Sequence, residues 1–248
     1  MVRSAVAITF LLLAAARANC QQPSFEDLLQ QATQAAQRGD HRQAIERLTA
    51  AIKANPQQPL PLYLRGREHF RAGQVAESVA DFDRYVGLLP SAENQLWERG
   101  ISYYYAGDYA KGAKQFENYQ KFHDQDVENS AWRYLCVARS ESVEKAQANM
   151  LPIMSDPRVP MMQIYELYRG KLKPEAVLDA AKDGNPDMNQ LNQRLFYAKL
   201  YIGLWHEAAG RADKAKEHIL EAEQHKITHY MWDVAHVHAE RLRAAEKK

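Results

Sequence analysis

The sequence has few of the features that mark disulfide scaffolds, membrane spans and nucleic-acid binders. Its 248 residues include two cysteines, Cys20 and Cys136, which do not indicate a disulfide framework. Its 32 Lys and Arg residues are balanced by 31 Asp and Glu residues, so no net field attracts nucleic acid. One apolar run, Ala5 to Ala16, has twelve residues, whereas a transmembrane helix needs roughly 20. We therefore expect no nucleic-acid partner and no transmembrane segment.

Sequence motifs for catalysis are also lacking. The chain contains no nucleophile elbow, no phosphate-binding loop and no dinucleotide fingerprint. Cys136 lies on the apolar face of a predicted helix, where a thiol is usually buried and inert. We expect that the protein is not an enzyme and that it needs no cofactor.

A repeat with a period of 34 residues occupies the first half of the sequence. Its clearest marker is a glycine at positions 39, 73 and 107. Three other columns recur at the same spacing: small residues at Ala32, Gly66 and Gly100, larger residues at Leu48, Phe82 and Phe116, and packing residues at Ala51, Tyr85 and Tyr119. A period of this length is typical of a helix-turn-helix unit that stacks into a solenoid.

Each column of the repeat has a physical reason. Two antiparallel helices approach closely only where side chains are small, and the larger column fills the space between them. The recurring glycine suits the left-handed turn after the first helix, and the Asp that follows it in Gly39-Asp40 is a good cap for the next helix. Pro56 and Pro90 end the second helix, because the residue before a proline is disfavoured in the helical conformation.

These units resemble tetratricopeptide repeats, as "LYLRGREHFRAGQVAESVADFDRYVGLLP" and "LWERGISYYYAGDYAKGAKQFENYQKFHD" illustrate. The resemblance covers residues 25–124 and implies an all-α fold, an α-α superhelix. A pair of helices with similar internal offsets follows in "YIGLWHEAAGRADKAKEHILEAEQHK". The expected division of residues 21–248 is repeats at about 25–58, 59–92 and 93–126, degenerate helices at 127–194, a repeat-like pair at 195–227 and a capping helix at 228–245, which solvates the end of the stack.

The order of these parts is similar to that in NlpI-type envelope lipoproteins. This second resemblance rests on "ERGISYYYAGDYAKGAKQFENYQ", "WRYLCVARS" and "FYAKLYIGLW". It implies partners in the cell envelope, such as proteases or cell-wall hydrolases, and a homodimer. It also implies a lipid-modified cysteine. Arg17 and Asn19 argue against lipid anchoring at Cys20, because lipoprotein processing favours Leu and then small residues there.

Residues 1–20 have the pattern of a signal peptide. Arg3 gives a basic start, the apolar run follows, and Ala16-Arg17-Ala18 is a small-x-small cleavage site. We expect export with removal of this segment, to the periplasm or the exterior. An uncleaved N-terminal anchor or a mere apolar start is the alternative, and cleavage after Ala18 or after Cys20 stays open.

The first helix of each repeat lines the concave side of such a stack, so its residues that are not needed for packing are candidates for partner contact. In the first repeat these are Leu29, Thr33 and Ala36. The second and third repeats offer a basic and aromatic strip: Tyr63, Arg67, Phe70, Arg71, Trp97, Ile101, Tyr104 and Tyr105. Arg and aromatic residues dominate binding hot spots. The alternative for the two tyrosines at 104 and 105 is ordinary packing between repeats.

Histidines concentrate near the C-terminus, at positions 218, 225, 229, 236 and 238. On a continuous helix His229, Asp233 and His236 would share one face, and two His with a carboxylate can hold zinc. The simpler interpretation is a closing helix with Thr228 as its N-cap and a solvated polar face. We therefore expect no metal site.

The sequence thus predicts an exported adaptor that binds a protein or peptide partner in its concave groove, in a cell-envelope complex. The alternative function is a metal-binding or metal-dependent protein that uses the C-terminal His cluster. A third is a purely structural component of the envelope.

Overall fold

The fold is built from stacked helices. The computed structural model describes residues 23–247, which form thirteen α-helices and one short 3₁₀ helix and contain no β-strand. The α-helices are α1 Phe25–Gln37, α2 His41–Ala54, α3 Leu60–Arg71, α4 Val75–Leu88, α5 Trp97–Ala106, α6 Tyr109–Gln120, α7 Val127–Ser140, α8 Val143–Ala148, α9 Met161–Tyr168, α10 Pro174–Lys182, α11 Met188–Ala208, α12 Ala212–Gln224 and α13 Tyr230–Glu246. The predicted all-α superhelix is confirmed.

The first six helices form three hairpins that stack in chain order. α1 packs on α2, α3 on α4 and α5 on α6, and each hairpin also contacts the next through α2 and α3 or through α4 and α5. These hairpins occupy the segments of the three predicted repeats, with the 3₁₀ helix Pro90–Gln95 between the second and the third. α11 and α12 form a further hairpin of the same kind near the C-terminus.

The turn inside each hairpin depends on its glycine. Gly39, Gly73 and Gly107 have φ angles of 75°, 74° and 84°, in the left-handed region that residues with a Cβ rarely adopt. Asp40 caps α2 by accepting a hydrogen bond from the Gln43 amide at 3.0 Å. Within residues 23–247 the Asp at 108 makes no such side-chain cap, so the predicted Asp cap is present in the first repeat and missing in the third.

Close approach of the paired helices accounts for the small-residue column. A Cβ added at Gly100 would lie 2.7 Å from the Phe116 ring, and one added at Gly66 would lie 3.0 Å from the Phe82 ring. In both repeats the aromatic ring therefore rests on the backbone of the facing helix. A large ring at the position of Phe82 or Phe116 therefore requires a glycine at the facing position, Gly66 or Gly100.

The middle of the chain departs from the repeat. α7 is buried along most of its length because it packs against α6, α8, α9 and α11. Residues 149–160 run without helix, and α9 with α10 forms a small hairpin against α11. α11 begins at Met188, earlier than the pair expected from 195, because Asp187 and Gln190 form a capping box there.

The last helix lies across the stack. α13 packs against α12, its neighbour in sequence, and also against α3 in the second repeat. Seven of its residues are buried. The expectation that Thr228 is its N-cap is wrong: His229 is extended and its Nδ1 accepts a hydrogen bond from the Met231 amide at 3.3 Å, so the helix starts at Tyr230. α13 therefore does more than solvate one end of the superhelix.

The predicted signal peptide and Cys20 lie outside the described residues. None of the helices described here combines the length and the apolarity that crossing a membrane requires.

Candidate functional site

The structure divides the eight predicted groove residues into two groups by their exposure. Four are buried, with 0 to 7% of their surface exposed: Phe70, Ile101, Tyr104 and Tyr105. Four are half-buried: Tyr63, Arg67, Arg71 and Trp97. A partner could touch only the second group without a rearrangement, so a binding role for all eight stays a prediction.

The two buried tyrosines belong to the core between repeats. The rings of Tyr104 and Tyr105 lie 5.3 and 6.2 Å from the Trp132 ring on α7. Tyr105 also meets the edge of Phe70 at 5.4 Å. Burial raises the pKa of both tyrosines well above its ordinary value. The two tyrosines therefore pack between repeats, which is the alternative that the sequence left open.

The first turn of α13 fills the groove between the second and third repeats. The Tyr230 ring lies 5.7 Å from the Phe70 ring and meets the Trp97 ring edge-on at 5.6 Å. The guanidinium carbons of Arg67 and Arg71 lie 4.8 and 5.4 Å from the centroid of the same ring. Four of the eight predicted groove residues thus surround one aromatic side chain of this same chain.

An ion pair fixes the next turn of α13. Arg71 Nε donates to Asp233 Oδ2 at 2.7 Å, while its Nη1 donates to Glu68. Burial alone would raise the pKa of Glu68, but the hydrogen bond with His41 and the charge of Arg71 hold it below its ordinary value. Arg71 therefore lies between two carboxylates, one on its own helix and one on the helix that it holds.

The C-terminal part of α13 is anchored on the third repeat. The Tyr105 hydroxyl and His238 Nδ1 are 2.9 Å apart, and Arg241 Nη1 donates to the Tyr105 carbonyl oxygen at 2.9 Å. Burial lowers the pKa of His238, so its imidazole is neutral at pH 7. Contacts at both ends of α13 keep it against the groove.

The histidines of the C-terminal segment contact different groups. His229 stacks on the Trp97 ring with the centroids 6.3 Å apart, Asp233 pairs with Arg71, and His236 Nδ1 lies 2.7 Å from Glu223 Oε1. No group of three His, Cys, Asp or Glu side chains among residues 23–247 is placed to hold a metal ion. The ligand set of the alternative function is therefore not assembled in this structure.

A cavity of about 230 Å³ opens beside the first turn of α13. Trp97 and Trp132 form part of its wall, and Asp126, Glu128 and Arg158 supply charged groups. Burial and the neighbouring Asp126 raise the pKa of Glu128 to about 7. The Tyr201 hydroxyl donates to this carboxylate at 2.7 Å. The cavity thus combines aromatic rings with buried charge.

Sequence reasoning missed both α13 as the occupant of the groove and this cavity. A signal for the first was present, since Tyr230, Val234 and Val237 form an apolar stripe at helical spacing that needs a cover. The cavity had no comparable signal. Arg158 comes from the irregular segment after α8, and its position follows from how that segment folds back on α7.

The fold and the groove define a superhelical protein of stacked helix hairpins. Residues 29–93 match the family model described as tetratricopeptide repeat. This segment contains the first two repeats of the chain, and its helix hairpins are tetratricopeptide repeats.

Two solved structures share this fold, and one sequence relative matches part of the chain. A MamA structure covering residues 41 to the end, from Desulfovibrio magneticus RS-1, aligns with a TM-score of 0.51 and 14% identity over 81% of this chain and 93% of that one. A MamA RS-1 double mutant gives 0.50, with the same identity and coverage. The Protein SGT1 homolog of Bos taurus is 29% identical over 97 residues, which are 39% of this chain and 29% of that protein. The match thus spans less than a third of that relative.

Proposed function

We propose that this protein is an adaptor that binds a protein partner on the concave face of its tetratricopeptide repeats. The observation that carries the proposal is the position of α13. Side chains chosen from the sequence as partner contacts hold a helix: Arg67 and Arg71 lie against the Tyr230 ring, and Arg71 pairs with Asp233. An amphipathic helix in a groove is a recurrent mode of protein recognition.

The proposed binding surface extends from α13 into the first repeat. There a cavity of about 140 Å³ is lined by Thr33 and Ala36 from α1 and by Leu64, Arg67 and Arg71 from α3. Two of these residues also contact α13. A partner bound at this cavity therefore adjoins α13, and it extends into the second repeat by replacing the Tyr230 turn.

The place of action in this proposal is the cell envelope. Its support is the signal-peptide pattern of residues 1–20 and the similarity in layout to NlpI-type proteins. The partners proposed on that ground are envelope proteases or cell-wall hydrolases, bound by a homodimer of this chain. Mass spectrometry of the protein purified from the envelope checks export, because it gives the N-terminal residue directly.

The experiment is affinity capture from the envelope fraction with competition by a synthetic peptide of residues 228–246. We expect the native chain to capture partner proteins and this peptide to displace them. A variant with Arg67→Glu, Arg71→Glu and Trp97→Ala should not capture the same proteins. A matched peptide carrying Tyr230→Ala and Asp233→Lys should displace nothing, because it lacks the two side chains that the groove contacts.

The control protein carries Arg42→Glu, Lys53→Glu and Trp205→Ala, a similar change in charge and ring content away from the groove. Both Arg42 and Lys53 are exposed on α2. Circular dichroism establishes that each variant keeps its helices. Equal capture by the groove variant and the native chain would contradict the proposal, as would equal displacement by the two peptides.

A further inference from the structure

The cavity beside the first turn of α13 has features of a ligand site that the adaptor proposal does not use. It lies where α5, α6, α7, the segment before α9 and α13 meet. Ligand pockets for drug-sized molecules measure roughly 300 to 1,000 Å³. At about 230 Å³ this cavity suits one amino-acid residue.

Negative charge is in excess on one side of the cavity. Arg158 donates to Glu128 at 2.7 Å and to Asp126 and Asp156 at 2.6 Å each, so one cation serves three carboxylates. His229, which also lines the cavity, is mostly neutral at pH 7, because burial and Arg158 lower its pKa. Glu128 is only partly ionised at pH 7, since its pKa is about 7, but Asp126 and Asp156 still outnumber Arg158, so the balance of charge around the cavity favours a cation.

Two buried polar atoms in the cavity wall are unpaired. Asn129 Oδ1 and Trp132 Nε1 have no hydrogen-bond partner among the described residues, and their residues are 3% and 2% exposed. They lie three positions apart on α7, on one face of the helix. Unpaired buried polar atoms are rare in folded proteins, and each asks for a reason.

The orientation of the Asn129 amide is fixed by its neighbour. Gln120 Nε2 donates to the carbonyl oxygens of Asp124 and Pro152, so Gln120 Oε1 must accept from Asn129 Nδ2, at 2.8 Å. The oxygen of Asn129 is then the free atom, and it is an acceptor. A ligand that pairs both free atoms must offer an N–H donor to Asn129 and an acceptor to Trp132.

Aromatic rings complete the site. Trp97 is half-buried, and Trp132 and Tyr119 line the same cavity. The faces of indole and phenol rings attract cations. Excess carboxylate, a free acceptor and aromatic walls together match an alkylammonium or guanidinium group.

We propose that this cavity binds a basic amino-acid residue: its cationic side chain lies against Asp126, Glu128 and the Asn129 oxygen, and its carbonyl oxygen accepts from Trp132 Nε1. Free arginine or lysine and a basic residue within a partner's peptide share this chemistry. Only the second source rests on the proposed adaptor function. The cavity itself is tested without any partner.

The test is a titration of the full chain, ¹⁵N-labelled at its four tryptophan indoles, with N-acetyl-arginine methylamide. We expect saturable shifts of the Trp97 and Trp132 indole signals and no shift of Trp205 or Trp232, which lie elsewhere. Replacement of each Trp by Phe assigns the signals. The neutral probes N-acetyl-glutamine methylamide and N-acetyl-norleucine methylamide should bind at least about tenfold more weakly.

Charge is tested by the variant Asp126→Asn with Glu128→Gln, which keeps the shape of both side chains. We expect its affinity for the arginine probe to fall at least about tenfold. The matched control, Asp213→Asn with Glu217→Gln, removes two exposed carboxylates from α12 and should bind as the native chain does. The Trp205 and Trp232 signals show whether the double variant is folded. If it is not, the single variant Asp126→Asn is tested instead, because Asn keeps an N-cap residue for α7.

Equal binding of the glutamine probe would overturn the proposal in favour of a neutral amide site. No shift of Trp97 or Trp132 in the folded chain, or an affinity that the charge variant leaves unchanged, would also overturn it. Free arginine and the tripeptide N-acetyl-Ala-Arg-Ala methylamide distinguish the two sources. Partner capture is a separate measurement. The adaptor proposal can therefore fail while the cavity proposal stands, and the reverse is also possible.

Discussion

Four concave positions have different residues in the three repeats, although the helices pack in the same order. The first repeat has Leu29, Thr33, Ala36 and Gln37, the second has Tyr63, Arg67, Phe70 and Arg71, and the third has Trp97, Ile101, Tyr104 and Tyr105. A hairpin of this kind therefore forms without large side chains at these positions. The large ones occur in the repeats that α13 contacts.

Exposure follows the same division. Thr33 and Gln37 in the first repeat are exposed, whereas Phe70 and Ile101 in the later repeats have none of their surface in contact with solvent. Fully burying a large apolar side chain contributes roughly 1.5 to 3 kcal/mol. Phe70 and Ile101 thus belong to the core, whereas Thr33 and Gln37 belong to the surface.

The largest effect that tests this comparison is the loss of a ring under α13. Phe70→Ala should lower the free energy of unfolding by about 3 to 5 kcal/mol, because it opens a cavity among Tyr105, Tyr230 and Phe70's own helix. Urea unfolding followed by circular dichroism measures the change. Leu29 is the residue of the first repeat that corresponds to Tyr63 and Trp97. Leu29→Ala should lower the free energy of unfolding by about 1 kcal/mol or less. Similar costs for the two variants would break the comparison.

A second effect concerns the small-residue column. Gly100→Ala should cost about 1 to 3 kcal/mol, because the new Cβ would lie 2.7 Å from the Phe116 ring. Combining it with Phe116→Leu recreates the Ala and Leu pair of the first repeat, so the double variant should be more stable than the two single costs predict.

Gly87→Ala is the matched control for this helix substitution. No described atom lies within 4 Å of a Cβ placed there, so Ala should stabilise α4 by up to about 1 kcal/mol. Thermal unfolding of the native chain, the variants Gly100→Ala and Phe116→Leu, and the double variant gives the coupling energy between positions 100 and 116. Strict additivity would show that the ring and the glycine do not constrain each other.

A smaller effect is expected at the ion pair that holds α13. Asp233→Asn should cost about 1 to 2 kcal/mol, because Arg71 then loses a charged partner in a half-buried site. Hydrogen exchange should accelerate in α13 and stay unchanged in α1. Glu240→Gln, which removes an exposed partner of Arg243, should cost at most about 0.5 kcal/mol. Faster exchange in α1 as well would show that the groove and the first repeat open together.

The last effect is a difference in pH dependence between two buried carboxylates. The pKa of Glu128 is raised to about 7, so its contribution to stability is present below the unfolded value and is lost as the pH rises through 7. The pKa of Glu68 is lowered, so its contribution is present at neutral pH and is lost on acidification below the unfolded value.

Urea unfolding at several pH values compares the native chain with Glu128→Gln and with Glu68→Gln. Between pH 5 and pH 8 the stability of the native chain relative to Glu128→Gln should fall. In more acidic solution the stability relative to Glu68→Gln should fall, whereas the stability relative to Glu128→Gln should stay constant. The same trend in both comparisons would contradict the assigned directions.

The repeat itself could be predicted from the sequence because it depends on neighbours within 34 residues. Gly39, Gly73 and Gly107 give the turns, and the paired columns at Gly100 and Phe116 give the close packing. Three residues of the site, Arg67, Arg71 and Trp97, were also predictable as candidates for contact, although their role in binding stays a prediction. Their partners were not, because Tyr230 and Asp233 lie more than a hundred residues away in the sequence.

The sequence by itself determined the helices, their hairpins and the face on which the aromatic and basic residues lie, since these follow from local spacing and turn chemistry. Only the tertiary structure decided that α13 returns to cover that face, and that Arg158 meets Asp126 and Glu128 beside a cavity. The physical reason is that burial of an apolar stripe is non-directional. The stripe on α13 requires a cover, and the packing of the preceding helices determines that α3 and α12 provide it.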